Sequence, residues 1–193
     1  MFKFLKPSRE KELSHYYVAQ PILIIEDDHK YQDLYSRLLS KTKCPYKIVD
    51  HPQKAIEFIA QGKRFPAMIV DLAFEGEPSG LDLLKTLKNQ IIEYSKHGQG
   101  LAIVVSGHPE YKDRALLLGA FRFFDKKDLP EKEQEFIEAV KSAYNEGQEK
   151  IADLRLQEEK LYEKLKHRFF GGKTIEVTIE ANYKNPSTEL RSN

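Results

Sequence analysis

The chain has 193 residues, 40% hydrophobic and 32% charged, with a formal net charge of +1. That length accommodates one well-buried domain plus an extension, or two very small domains, and the near-neutral balance lacks the broad basic footprint of a nucleic-acid binder. A single cysteine, Cys44, excludes an internal disulfide and a multi-cysteine metal site and fits a reducing, cytoplasmic compartment, while the longest apolar runs, of about five residues, fall far short of a membrane span.

Residues 1–19 form a polar, irregular arm whose basic start, Met1 to Pro7, lacks the continuous apolar stretch of a signal peptide. Residues 20–130 then alternate short β-rich apolar runs with amphipathic stretches. The first strand is expected at Ile22–Ile25, followed by a helix with Tyr31, Leu34, Tyr35, Leu38 and Leu39 on one face. A strand at Lys47–Val49 leads to a helix marked by Ala55, Ile56 and Ile59. The third strand, Ala67–Val70, precedes a helix carrying Leu84, Leu87 and Ile91, lengthened by an insertion over residues 88–100 and stopped by Gly98. Leu101–Val105 is the fourth strand, Ala115–Leu117 mark a shorter helix ending at Gly119, and Phe121–Phe124 is the fifth strand. Strands 1, 3 and 4 are apolar without alternation, as in a parallel sheet covered on both faces. Five strand-helix repeats with right-handed crossovers imply an α/β, doubly wound, five-stranded parallel sheet.

Residues 131–169 read as one long last helix, a possible coiled coil. Asp128, Pro130 and Glu131 supply a cap, a first-turn proline and a capping-box acid. At ~1.5 Å per residue the helix spans on the order of 55 Å. Ile137, Tyr144, Ile151 and Leu165 fall at one heptad position, with Glu158 as an exception. Val140, Leu154 and Leu161 fall at the other, interrupted by Gly147 and Arg168. The flanking Lys141, Lys150, Arg155 and Lys164 would repel in a parallel homodimer and are better tolerated in an antiparallel pair or against an acidic partner. Residues 170–193 hold a short alternating strand, Lys173–Ala181, and a flexible tail. No helix-turn-helix follows the core, so DNA binding is not expected.

In a doubly wound sheet, ligand sites form beyond the carboxyl ends of the strands. Here those ends present Glu26, Asp27 and Asp28, then Asp71, then Ser106-Gly107, then Asp125-Lys126-Lys127. Singly, these are ordinary: acids after a strand cap helices, and Ser-Gly makes turns. Together they offer clustered carboxylates for a hard divalent cation such as Mg2+, a hydroxyl, and an ammonium that can neutralise a phosphoryl group on a carboxylate nucleophile.

With these residues in order, residues 20–145 resemble the receiver domain of bacterial two-component response regulators, of flavodoxin-like fold. Pro21–Asp28 is similar to the family's first strand and acidic pair, Met68–Leu72 to its phosphoacceptor strand, Gly80–Leu87 to its third helix, Ile103–Gly107 to the hydroxyl-bearing strand, and Gly119–Lys126 to the last strand and its lysine. The resemblance implies Asp71 as phosphoacceptor. It implies a Mg2+ site of Asp27 directly, Glu26 through water, Asp71 and the Ala73 carbonyl. It also implies Ser106 and Lys126 on the phosphoryl oxygens, Phe123 as the aromatic switch, and a histidine kinase or phosphotransfer protein as donor. The chain departs from the family in the loop Leu72–Gly80, which lacks Met-Pro and is one residue longer, in Ala73 and His108 two residues beyond the acceptor and the hydroxyl, and in Lys127 where proline is usual.

The reading is a phosphorylation-controlled switch, not a turnover enzyme, beyond self-phosphorylation and self-dephosphorylation, acting through protein contacts or a homodimer through the last helix. The alternatives are a phosphorylation-independent receiver-like scaffold, and an aspartyl phosphatase or phosphotransferase. Haloacid-dehalogenase-type enzymes want a second Asp two residues after the nucleophile, where this chain has Ala73.

Overall fold

Strands that are apolar at every position need cover on both faces, and the sheet has it. A computed structural model describes residues 19–94 and 101–170. Its elements are β1 (Ile22–Ile25), α1 (His29–Ser40), β2 (Tyr46–Val49), α2 (Pro52–Ala60), β3 (Ala67–Val70), α3 (Gly80–Tyr94), β4 (Leu101–Ser106), a 3-10 turn (Pro109–Tyr111), α4 (Lys112–Leu117), β5 (Arg122–Asp125) and α5 (Glu133–Phe170). All strand pairs are parallel, in the order β2-β1-β3-β4-β5. This is the expected flavodoxin-like sheet. The arm up to residue 18, the Gly98 stop, the strand Lys173–Ala181 and the tail lie outside the described residues.

Successive side chains along a strand point to opposite faces, and the core divides accordingly. Leu23, Ile25, Met68, Val70 and Val104 pack with Ala55 and Ile59 of α2, with Leu84 and Leu87 of α3 and with Ala115 of α4. Ile22, Ile24, Ile69, Ile103 and Val105 pack with Tyr35, Leu38 and Leu39 of α1 and Phe136, Ile137 and Val140 of α5. Each fully buried aliphatic side chain contributes about 2 kcal/mol, which fixes the strand register and hence the positions of the residues that follow the strands.

The fifth strand begins one residue later than expected, although Phe121 already donates its N–H to the Ala102 carbonyl at 2.7 Å. α5 also starts later, at Glu133. Before it, the Asp128 side chain takes the Lys132 ammonium at 2.8 Å. The Asp128 carbonyl accepts the Glu131 and Lys132 amides at 3.0 Å each, within a run of turns.

The chain divides into two units, Met1–Gln157 and Glu158–Asn193. In the first, the heptad residues Ile137 and Val140 are spent on the chain's own sheet, and Ile151 and Leu154 are buried. In the second, Leu161 and Leu165 are 56% and 42% exposed. No helix of the described residues is long and apolar enough to cross a membrane.

Gly147, an interruption of the heptad in sequence, does not break α5. A Cβ built there would lie 1.8 Å from the Pro66 carbonyl oxygen, so the missing side chain is what lets α5 lie against the backbone entering β3. Gly147→Ala gains up to about 1 kcal/mol of helix propensity and must still push α5 off Pro66. The expected net result is a loss of about 2 kcal/mol, measured as a lower urea midpoint. A midpoint equal to or above wild type would refute this packing.

Candidate functional site

The ladder bonds continue one residue past β1 and β3. Glu26 donates its N–H to Val49 O, and Asp71 donates its N–H to Ile25 O, each at 3.0 Å. Both carboxylates therefore stand at the carboxyl edge where the strand order reverses between β1 and β3, the ligand position of such sheets. Both are buried, Glu26 at 0% and Asp71 at 3% exposure.

Lys126, just after β5, reaches across this edge. Its Nζ lies 2.7 Å from Asp71 Oδ2 and 2.9 Å from Glu26 Oε1, and its backbone N–H is anchored to Ser106 O at 3.0 Å. Asp71 Oδ1 accepts the Leu72 amide at 2.6 Å and the Ala73 amide at 3.3 Å. Buried Ser106 accepts the His108 amide on its Oγ at 3.3 Å. Phe123 lies on β5 opposite Val104, half-buried against the core layer of α2, α3 and α4. The structure thus gathers Glu26, Asp71 and Lys126 by direct contact, with exposed Asp27 beside them.

Glu26, Asp27 and Asp71 each offer a carboxylate oxygen, all within 4.8 Å of one another. One ammonium cannot neutralise three carboxylates. Burial first, and then repulsion from Asp71, push the Glu26 carboxyl from its usual 4.5 up to about 7, against the pull of Lys126. Burial also opposes the Lys126 charge, but its hydrogen bonds to Asp71 and Glu26 outweigh that and raise its pKa. This donor set, all oxygen and short of positive charge, fits a hard divalent cation such as Mg2+.

Four residues read in sequence as packing, capping or motif positions, or not singled out, also serve the site. Tyr35, fully buried, donates its hydroxyl to Glu26 Oε2 at 3.4 Å. Gln32 donates its side-chain amide to Glu26 O at 2.7 Å. The Tyr31 ring lies under Lys126, with Nζ 4.1 Å from its centroid. Gly80 starts α3 against Asp71 itself, since a Cβ there would meet Asp71 O at 2.0 Å. The helical spacing of Tyr31, Gln32 and Tyr35 behind the acidic cluster was the available signal, but spacing does not show where a hydroxyl points. Asp28 does cap α1, accepting the Lys30 amide at 2.8 Å.

Residues 22–141 match the response regulator receiver domain family. Among solved structures, NtrX from Brucella abortus is similar at 22% identity and TM-score 0.53, over 75% of this chain and 30% of that one. The receiver domain of Francisella response regulator 1452 is similar at 21% identity and TM-score 0.53, over 65% and 98% of the two chains. A response regulator receiver domain protein from Clostridium thermocellum is similar at 20% identity and TM-score 0.52, over 65% and 94%. At these identities the likeness shows the fold. The chain spans less than a third of NtrX. No curated protein matches.

The raised Glu26 pKa sets a pH dependence. A carboxyl that binds its proton more tightly folded than unfolded favours the fold below about pH 4.5, and that contribution is lost as pH rises to about 7. Glu26→Gln removes the loss. In metal-free protein the variant is expected to gain stability over wild type between pH 5 and 7.5, by at most about 3 kcal/mol, and to show no gain at pH 4.5. Chemical denaturation across that range checks it, and parallel stability curves would contradict it.

Proposed function

We propose, on the premise that this chain belongs to the response regulator receiver domain family, that it is a phosphorylation-controlled switch with Asp71 as acceptor. One observation carries the assignment. Asp71 is buried at the edge of the sheet, bonded to Lys126 at 2.7 Å and grouped with two further carboxylates within reach of a single cation.

A bound ion would supply positive charge to the carboxylates and to the incoming phosphoryl oxygens. A carboxylate oxygen of Asp71 attacks phosphorus and forms an O–P bond, giving an acyl phosphate. The donor's bond to phosphorus breaks, and its electron pair leaves on the donor, an imidazole nitrogen when the donor is a histidine kinase or phosphotransfer protein. Lys126, already beside Asp71, offsets charge on the transferred group without having to be recruited. The Ser106 hydroxyl donates to a phosphoryl oxygen, and Ser106, Phe123 and the last helix belong to the two-state element that the phosphoryl group biases.

The output is a change in protein contacts rather than turnover or nucleic-acid binding. Leu161 and Leu165, exposed four residues apart on α5, are the positions for a homodimer or for another protein. A cytoplasmic setting suits a histidine kinase partner.

Incubation with acetyl phosphate and Mg2+ is expected to add one acid-labile phosphoryl group to wild type. Asp71→Asn is expected to add none, as read by intact mass. Unchanged labelling of that variant would sink the acceptor assignment.

A further inference from the structure

Lys126 is held on three sides. Asp71 and Glu26 accept from its Nζ, and the ring of Tyr31 covers it at 4.1 Å. Two of these contacts are with groups whose charge would change on the proposed reading. Asp71 would become an acyl phosphate, and Glu26 is one of the carboxylates that would serve a bound cation. The ring is the contact whose charge and bonding the reaction leaves alone.

The ring is also well fixed. Tyr31 lies in the first turn of α1, and its N–H donates to Asp28 O at 3.0 Å. The next residue, Gln32, ties the same turn to β1 through the Glu26 carbonyl at 2.7 Å. Tyr31 packs at the edge of the core layer shared by α1 and α5, with its ring 6.4 Å from that of Tyr35. A lysine side chain is flexible and loses much rotamer freedom when placed. An aromatic face attracts an ammonium most when water is partly excluded, and Lys126 is only 11% exposed. Electrostatic stabilisation of a transferred group depends on charge already standing in place.

We infer that Tyr31 is a positioning residue, its ring setting where the Lys126 ammonium stands while Asp71 takes up the phosphoryl group. The inference rests on Asp71 as acceptor. It assigns the work to the ring rather than to the Tyr31 hydroxyl.

Two variants of the full chain separate ring from packing. Tyr31→Phe keeps the ring, while Tyr31→Leu keeps apolar bulk without it. In metal-free protein, the Lys126 side-chain protons nearest Nζ are expected upfield in wild type and Tyr31→Phe by the ring current. They are expected to return to ordinary lysine shifts in Tyr31→Leu. At saturating Mg2+, acetyl phosphate is expected to label Tyr31→Leu about five-fold more slowly than wild type, and Tyr31→Phe within about two-fold. In a Lys126→Ala background the Leu change is expected to have no further effect, as coupling through Lys126 requires. Tyr31→Leu labelling at the wild-type rate, Tyr31→Phe as slow as Tyr31→Leu, or an equal slowing without Lys126 each overturns the inference. Wild type that takes up no phosphoryl group overturns the acceptor reading and this inference with it. Labelled wild type with an indifferent Tyr31→Leu overturns this inference alone.

Discussion

The carboxyl edge of the sheet depends on one ammonium shared between two buried carboxylates. Removing water from Glu26 and Asp71 costs several kcal/mol per charge unless each finds a partner. Lys126 is that partner for both, and it comes from the far side of the sheet. β5 lies two strands from β3 and three from β1, so Nζ must pass the end of β4 to reach them. The Lys126 amide on Ser106 O and the β4–β5 register that sets Ser106 opposite Asp125 fix the starting point of that reach. Any slip of β5 along β4 would withdraw the ammonium, and any change in Asp71 bears on β5 through the same side chain. The electrostatics of the site and the edge of the fold are therefore one constraint.

Close backbone contact adds a second link. Gly80 leaves no room for a side chain between α3 and the Asp71 carbonyl, so the start of α3 lies directly against the backbone of Asp71. A reciprocal Ser79–Asp82 pair closes that helix start, with Ser79 donating its N–H to Asp82 Oδ2 at 3.2 Å and Asp82 its own to Ser79 Oγ at 3.3 Å. Between Asp71 and Gly80, Leu72 is buried in the core. Phe74 packs edge-on to His51 of the β2–α2 connection at 5.9 Å. The loop that departs from the family pattern is thus pinned at both ends and in its middle.

The strands were legible because burial on both faces leaves a continuous apolar run, and β1 and β3 fall where those runs lie. The strand-end residues were legible because topology alone brings them to one edge. What sequence could not show depends on distance between segments remote along the chain. Gly147 reads as a flaw in a heptad until Pro66 is set against it. Tyr35 reads as core, and it is core, but nothing in its spacing reveals that its hydroxyl meets Glu26. Asp128 has the right neighbours for a cap, and spacing does not show that its side chain meets the Lys132 ammonium. An apolar stripe does not state what it faces. Ile137 and Val140 face their own sheet.

α1 stands between the site and α5 and touches both. Its first turns carry Tyr31, Gln32 and Tyr35 toward Lys126 and Glu26. Its last turn sends Arg37, and the following Lys41, to Glu133 of α5. Two kinds of contact therefore join α1 to α5, and their magnitudes decide which seats the helix. The ion pairs involve cations about half exposed, and pairs so open to solvent contribute little. Tyr35, by contrast, stacks on Phe136 at 6.0 Å, and Phe136 meets Phe124 edge-on at 5.4 Å. Phe136 is fully buried, and burial of such a side chain contributes about 2–3 kcal/mol before any ring geometry is counted. The aromatic contacts thus outweigh the ion pairs in setting α5 against the sheet. They place the start of α5 against Tyr35, the residue that bonds Glu26, and against Phe124, two residues before Lys126. Phe136 is therefore one ring away from the residue that bonds Glu26.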